Sequence, residues 1–340
     1  MDTPVADRTQ QQPSPSAQAR ENVQLAFCSI ATPSHVPQAL ACLQSIRRHH
    51  LDARFFLLLV NADKHQAPTL PANIELLSIE SCVGAAELTM MRERYSIAEL
   101  CFAVKPYLIA KLLEAGMDQV HYFDSDCLAF SNMSPLTLEL ANTDLLLTPH
   151  CLSPVPEDGL TPRPLTLLKA GVFNAGYLGV RRTQQGANFV AWLSSMTLRY
   201  GKNAPQEGMC GDQRWLDLTP VLFPGLAICR HPGANVAYWN LHERNLSRDS
   251  EGHIRVNDQA LIFFHFSGNV SNHAALLSKH QNRHPLIPGS PLHELVDAYR
   301  LNFPASAAGA RGKQRYVPAV LDRLNQLQST IRRNLQEKKK

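Results

Sequence analysis

Apolar positions along the chain recur with two periods, and the changes between them mark out the elements. Val23-Gln-Leu-Ala-Phe-Cys-Ser-Ile30 is an apolar run ending in Ala31-Thr32-Pro33-Ser34, which predicts a buried strand entering a turn. Val36, Leu40, Leu43 and Ile46 then recur at helical spacing. Arg54–Val60 predicts a second strand that breaks at Asn61-Ala-Asp63, and Ile74–Ile79 predicts a short third. Ile97, Leu100, Val104, Leu108 and Leu112 predict a helix over 97–115, with Pro106 as a break or restart and Gly116 as its stop. Gln119-Val-His-Tyr-Phe123 is a strand running straight into Asp124-Ser-Asp126. Leu152–Leu165 holds four prolines and reads as an irregular loop, and Leu261–Phe264 as another buried strand.

Strands alternating with helical patterns predict a parallel, doubly wound α/β sheet, whose ligands sit beyond the carboxyl ends of the strands. Thr32, Asn61 and Asp124 fall on that edge. Residues 1–22, rich in Gln, Pro and Ser, read as a disordered arm. Residues 23–303 contain no linker long enough to divide them and read as one domain. Residues 304–340 read as a hinge followed by a helix with Val317, Leu321, Leu324, Gln328, Ile331 and Leu335 on one stripe.

Charge refines this division. The net charge is +4, too small a surplus to suggest a nucleic-acid binder. Nine basic and two acidic residues lie between Arg311 and Lys340, so the tail carries +7 and the rest of the chain −3. A basic amphipathic helix suits peripheral contact with a membrane surface, and docking on the body or on a second subunit is the alternative. No apolar run approaches the roughly 18 residues of a membrane span. The N-terminus lacks the apolar stretch of a secretory signal, and the eight cysteines never fall in Cys-x-x-Cys pairs. These features predict reduced thiols and a cytoplasmic enzyme, with the inner face of a membrane as the place its tail would reach.

Five segments carry candidate chemistry. In Tyr122-Phe-Asp-Ser-Asp-Cys-Leu128, two carboxylates one residue apart at a strand end can share one hard divalent cation, Mg²⁺ or Mn²⁺. The alternative is an acidic surface turn. In Leu261-Ile-Phe-Phe-His-Phe-Ser-Gly268, His265 is either a satisfied core histidine or a third ligand, with Ser267-Gly268 as an anion-binding turn. Gly171-Val-Phe-Asn-Ala-Gly176 lets the backbone pass close to a ligand, with Asn174 offering amide groups, or is a glycine-rich bend. Asp212 and Gln213 open a helix-like stretch in which Asp212 would serve as an N-cap or as a functional carboxylate. Val236-Ala-Tyr-Trp-Asn-Leu241 would stack on a sugar or simply pack.

In this order the residues resemble a nucleotide-sugar glycosyltransferase of the GT-A fold, similar to the glycogenin and bacterial lipopolysaccharide galactosyltransferase group, over about Leu25 to Arg300. The resemblance implies a Rossmann-like single α/β domain with a mixed central sheet. It also implies transfer of a sugar from a nucleotide-diphosphate donor, a UDP-sugar in the first instance, to a glycan, lipid-linked or protein acceptor, with retention of configuration. Asp124, Asp126 and His265 would then hold the metal, with Ser125 near the ribose and Ala31 and Thr32 at the nucleobase. Lys105 would reach the donor's phosphates or sugar, and Asn174, Ala175, Gly176, Asp212 and Gln213 would surround the transferred sugar, the last two as the catalytic pair. Gly268, beside Ser267, would offer its N–H to the diphosphate. The pattern departs from that group after Gly268, where Asn269-Val-Ser-Asn-His273 lacks the lysine of a Lys-Pro-Trp segment. Lys279 and Arg283 are the nearest cations that would replace it. Two rivals remain: a non-catalytic sugar-nucleotide or glycan-binding protein of the same fold, and a haloacid-dehalogenase-type phosphatase. The latter's motif wants Thr or Val where Leu128 stands.

Overall fold

The computed structural model describes residues 23–61, 68, 70–269 and 275–301. The arm at 1–22 and the basic helix within 304–340 lie outside the described residues. The first half alternates strands and helices: β1 (Leu25–Ala31), α1 (Val36–Arg47), β2 (Arg54–Leu59), β3 (Glu75–Ser78), α2 (Ala85–Arg94), α3 (Ile97–Ala103), α4 (Lys105–Glu114) and β4 (Gln119–Phe123). The predicted helix over 97–115 is therefore two. A Ser96–Glu99 capping box starts α3, and the chain restarts at Lys105 with Pro106 in the first turn of α4, where its missing N–H costs nothing. Gly116, at φ 91, ends α4.

After β4 come β5 (Cys127–Ala129), α5 (Ser134–Ala141), β6 (Leu145–Pro149), α6 (Pro164–Ala170), β7 (Phe173–Arg181) and α7 (Gln184–Tyr200). A two-residue ribbon, β8 (Asn203–Ala204) and β9 (Met209–Cys210), leads to a 3-10 turn over Gln213–Leu218 and then α8 (Thr219–Leu222). The rest is β10 (Leu226–Ile228), a small sheet of β11 (Leu246–Arg248), β12 (Ile254–Val256) and β13 (Gln259–Ala260), then β14 (Phe263–His265) and α9 (Pro291–Leu301).

Seven strands form the central sheet in the order β10-β6-β7-β4-β1-β2-β3. The sheet is mixed, as the family resemblance implies, and not wholly parallel as the alternation of strands and helices alone predicts: β7 runs antiparallel to both β4 and β6, while the other pairings are parallel. Both faces are covered, which is why β1 and β2 are nearly continuous apolar runs. Cys28 and Ile30 of β1 join Leu108, Leu112, Phe189 and Leu193 on one face, while Phe27 and Ala31 meet Leu40, Leu43 and Phe123 on the other. A smaller core joins Phe264, Phe266, Leu295 and Tyr299, with the Phe266 and Tyr299 rings stacked 4.1 Å apart. None of the eight cysteines is in a disulfide.

This arrangement brings the carboxyl ends of β1, β2 and β4 to one edge, as expected for Thr32, Asn61 and Asp124. The antiparallel pair of β5 and β14 lies just beyond that edge, with His265 opposite Cys127.

Candidate active site

The chain leaves β4 at Phe123 and turns through Asp124-Ser-Asp126, so both carboxylates stand where the strand's hydrogen bonding ends. The register of β14 on β5 carries His265 to them. Its Nε2 lies 3.0 Å from Asp126 Oδ1 and 3.9 Å from Asp124 Oδ2. Burial disfavours a charged ring, but the two carboxylates outweigh it and hold His265 above its usual value. Burial likewise opposes charge on Asp126, yet the His265 ring outweighs it and keeps that carboxyl below its usual range. Ligands at about 2.0–2.2 Å around one ion sit roughly 3 Å apart; the His265–Asp126 pair has that spacing for a single hard cation, and Asp124 stands further from the ring. The Cys127 thiol also falls within 4.8 Å of the Asp126 and His265 donors. It packs in the core, where burial pushes its pKa far up, and a neutral thiol is a poor ligand for Mg²⁺ or Mn²⁺.

On the far side of Asp124 the charge is sealed in. Lys105 Nζ lies 2.8 Å from Asp212 Oδ2 and 3.6 Å from Asp124 Oδ1, with 1% of its side chain and 3% of that of Asp212 exposed. The ammonium also donates to the Ala175 carbonyl at 2.7 Å and sits 4.5 Å above the Tyr122 ring. Burial disfavours the ammonium, but Asp124 and Asp212 more than offset it and hold Lys105 above its ordinary value. One cation is shared between two carboxylates; burial, only partly offset by Lys105, raises the Asp212 carboxyl. Asp212 makes no side-chain cap bond, so the N-cap alternative does not hold. Lys105 is fully occupied by Asp212, Asp124 and the Ala175 carbonyl.

Asn174, Ala175 and Gly176 sit where β7 changes partner: Phe123 pairs with Tyr177, while Thr148 pairs with Asn174 across an irregularity in the β6 register. Asp124 N–H donates to the Gly176 carbonyl at 2.9 Å, tying this segment to the acidic turn. A Cβ on Gly176 would stand 2.3 Å from His265 Cε1, so only glycine leaves room for the ring. Gln213 Oε1 accepts from Asn174 Nδ2 and from Ala175 N–H, both at 3.1 Å, and its Nε2 donates to the Ala170 carbonyl at 2.9 Å. Its amide is thus spent on holding the Asn174 side chain and the backbone at Ala170 and Ala175.

No family model matches the chain. Two proteins of Bacillus subtilis (strain 168) are similar in sequence. The uncharacterized protein YfnF is 26% identical over 247 residues, 72% of this chain and 81% of its own. The uncharacterized protein YfnD is 24% identical over 253 residues, 71% of this chain and 77% of its own. Among solved structures the chain is similar to the galactosyltransferase LgtC in complex with donor and acceptor sugar analogs, at 17% identity and TM-score 0.47, over 81% of this chain and 95% of that one. It is also similar to the glycosyltransferase GlyE of Streptococcus pneumoniae TIGR4, at 15% identity and TM-score 0.43, over 82% of this chain and 61% of that one.

The remaining expected residues divide between near and far. Ala31 is buried at the end of β1, its carbonyl accepting from Val60 N–H, and the Thr32 hydroxyl meets His35 Nδ1 at 2.9 Å. Ser125 stays half-buried between the two carboxylates. Ser267 and Gly268 follow β14 after Phe266, with Gly268 at φ 68, and Lys279 N–H donates to the Gly268 carbonyl, which places the exposed Lys279 beside that turn. Arg283 is not a replacement cation. Its guanidinium is folded under the 156–162 loop, paired with Asp158 and donating to the carbonyls of Pro156, Leu160 and Pro162. Trp239 packs edge-on against His265, centroids 5.2 Å apart, and is buried rather than presented to a sugar. Two residues escaped the sequence reading. His150, pushed down to about 4 by burial, lies 3.5 Å from Asn174 Nδ2, and Asn235 lies beside both Asn174 and His265. The apolar cavity of about 380 Å³ between Phe130, Ile254, Leu261 and Leu295 contains none of these groups. Among the described residues no helix is long and apolar enough to cross a membrane.

Proposed function

We propose that this chain is a divalent-metal-dependent glycosyltransferase that moves a sugar from a nucleotide-diphosphate sugar, a UDP-sugar in the first instance, to a glycan, lipid-linked or protein acceptor, with retention. The observation that carries this reading is the convergence of Asp124, Asp126 and His265 at the carboxyl edge of the sheet, next to the sealed Lys105–Asp212 pair. Asp124, Asp126 and His265 would hold Mn²⁺ or Mg²⁺, whose chemistry there is to stabilise negative charge gathering on the departing diphosphate. The turn at Ser267-Gly268 offers backbone N–H to the same phosphates, and the exposed Lys279 adds a positive charge beside it. Asp212, fixed by Lys105, supplies negative field to the sugar as its anomeric carbon becomes oxocarbenium-like. Gln213 acts at one remove by holding Asn174 and Ala175 in place. Ala31 and Thr32 border the nucleobase end.

The test is a panel of UDP-, GDP- and dTDP-sugars with Mn²⁺, read by released nucleotide and by thermal shift. Turnover that EDTA abolishes is expected. Full turnover in EDTA removes the metal assignment, and metal-dependent nucleotide binding without turnover favours the non-catalytic binding protein. Within an active enzyme, Asp212→Asn is expected to lower kcat far more than donor affinity, because its interaction strengthens in the transition state.

A further inference from the structure

Resting on the metal reading above, we propose that Asn235 is a positioning residue: it fixes the tautomer of His265 so that Nε2 presents its lone pair to a cation held with Asp124 and Asp126. Asn235 is fully buried, in a left-handed turn at φ 51, on the segment that runs alongside β14. Asparagine tolerates that backbone better than most residues. Its carbonyl accepts from Asn240 Nδ2 at 2.9 Å, which anchors the turn from below.

The direction of its side-chain amide follows from backbone groups that cannot flip. Gly176 N–H must donate, so the atom 3.0 Å away is the Asn174 oxygen. Asn174 therefore turns its nitrogen to Gln213 Oε1, an orientation that Ala175 N–H and the Ala170 carbonyl enforce independently. With the Asn174 oxygen fixed, the atom of Asn235 that lies 3.0 Å from it must be the nitrogen. That nitrogen spends its second proton on Thr148 Oγ1 at 2.8 Å. Only the Asn235 oxygen is left to face His265 Nδ1, at 3.3 Å. Nδ1 then has to carry the proton, and Nε2 is the atom aimed at Asp126 and Asp124. The glycine-flanked segment of β7 thus dictates the protonation pattern of a ring on a different strand, through one asparagine. Gly176 contributes twice, since its missing Cβ makes room for that ring.

The experiment is calorimetric titration of the full chain with Mn²⁺, wild type against Asn235→Gly. Glycine keeps the φ 51 backbone without strain while removing the amide. The expected result is affinity lower by roughly 10–100-fold, the usual cost of losing a partner that orients a metal-bound histidine. Equal affinities overturn the inference. A second readout does not depend on the variant folding: long-range ¹⁵N–¹H spectra of histidine-labelled wild type loaded with Mg²⁺. A proton on Nδ1 with an ion-perturbed Nε2 supports the assignment; the reverse tautomer overturns it. A wild-type chain that takes up neither ion sinks the proposed function, and the inference with it. Ion binding indifferent to Asn235→Gly sinks the inference alone.

Discussion

The two ends of the candidate site hold charge in opposite ways. Asp124 and Asp126 keep about a third of their side chains in water while meeting the His265 ring. Lys105 and Asp212 are cut off from water and answered by each other, by Asp124 and by the Tyr122 face. The difference is one of task. Under the proposed function, the open end would exchange an ion and a charged donor and so stay hydrated between turnovers, whereas the closed end would supply a standing field and can close over, provided its charges are matched. Removing a charge should therefore damage chemistry at the open end and folding at the closed one.

The sharpest way to break this contrast is Lys105→Ala, which strands Asp212 in the interior. Urea unfolding is expected to show a loss of about 3–5 kcal/mol, and Lys105→Met combined with Asp212→Leu should recover most of it. A loss below about 1 kcal/mol would mean that water reaches the pair after all. At the open end, Asp126→Ala is expected to lower kcat/KM with Mn²⁺ on the order of a hundredfold, with little change in melting temperature. Destabilisation matching that of Lys105→Ala would erase the distinction.

Gly176→Ala tests the join between the ends, since its Cβ would press on a His265 ring that Trp239 already confines. Overpacking of this kind costs about 1–3 kcal/mol, to be shared between Mn²⁺ affinity and unfolding free energy. The smallest effect calibrates the rest. Arg54 and Glu75 pair at 2.7 Å on β2 and β3 with about half of each side chain exposed. Arg54→Ala should cost less than about 1 kcal/mol and lose even that in high salt.

The open end was legible in the sequence pattern, whereas at the closed end Lys105 stands out only through the family resemblance and its pairing with Asp212 leaves no trace in spacing. Asp124 and Asp126 announce themselves because they follow an unbroken apolar strand, and β4 has the bounds its pattern predicts. Strand direction leaves no such trace: β7 is as apolar and buried as a parallel strand would be, so its reversal in the sheet cannot be read from periodicity. Asp212 is a good N-cap by residue type, and only the distant Lys105 explains why it turns inward instead. Asn235 had no signal in spacing at all. Its role arises from contacts with residues 61 and 30 positions away in sequence, and an asparagine after Gly233-Ala234 reads as an ordinary turn.

The clasp under the 156–162 loop bears on how this protein can vary. Arg283 grips three main-chain carbonyls and one carboxylate, and Asn282 bonds to Thr161 through both its side chain and its backbone. What is secured is a path through space, almost independent of the side chains strung along it. Glu157 and Leu160 both point outward and can be exchanged without undoing the fastening. Such a loop is a ready platform for evolution, or for a combinatorial library: its surface lettering can be rewritten many times over while a single guanidinium keeps the page flat.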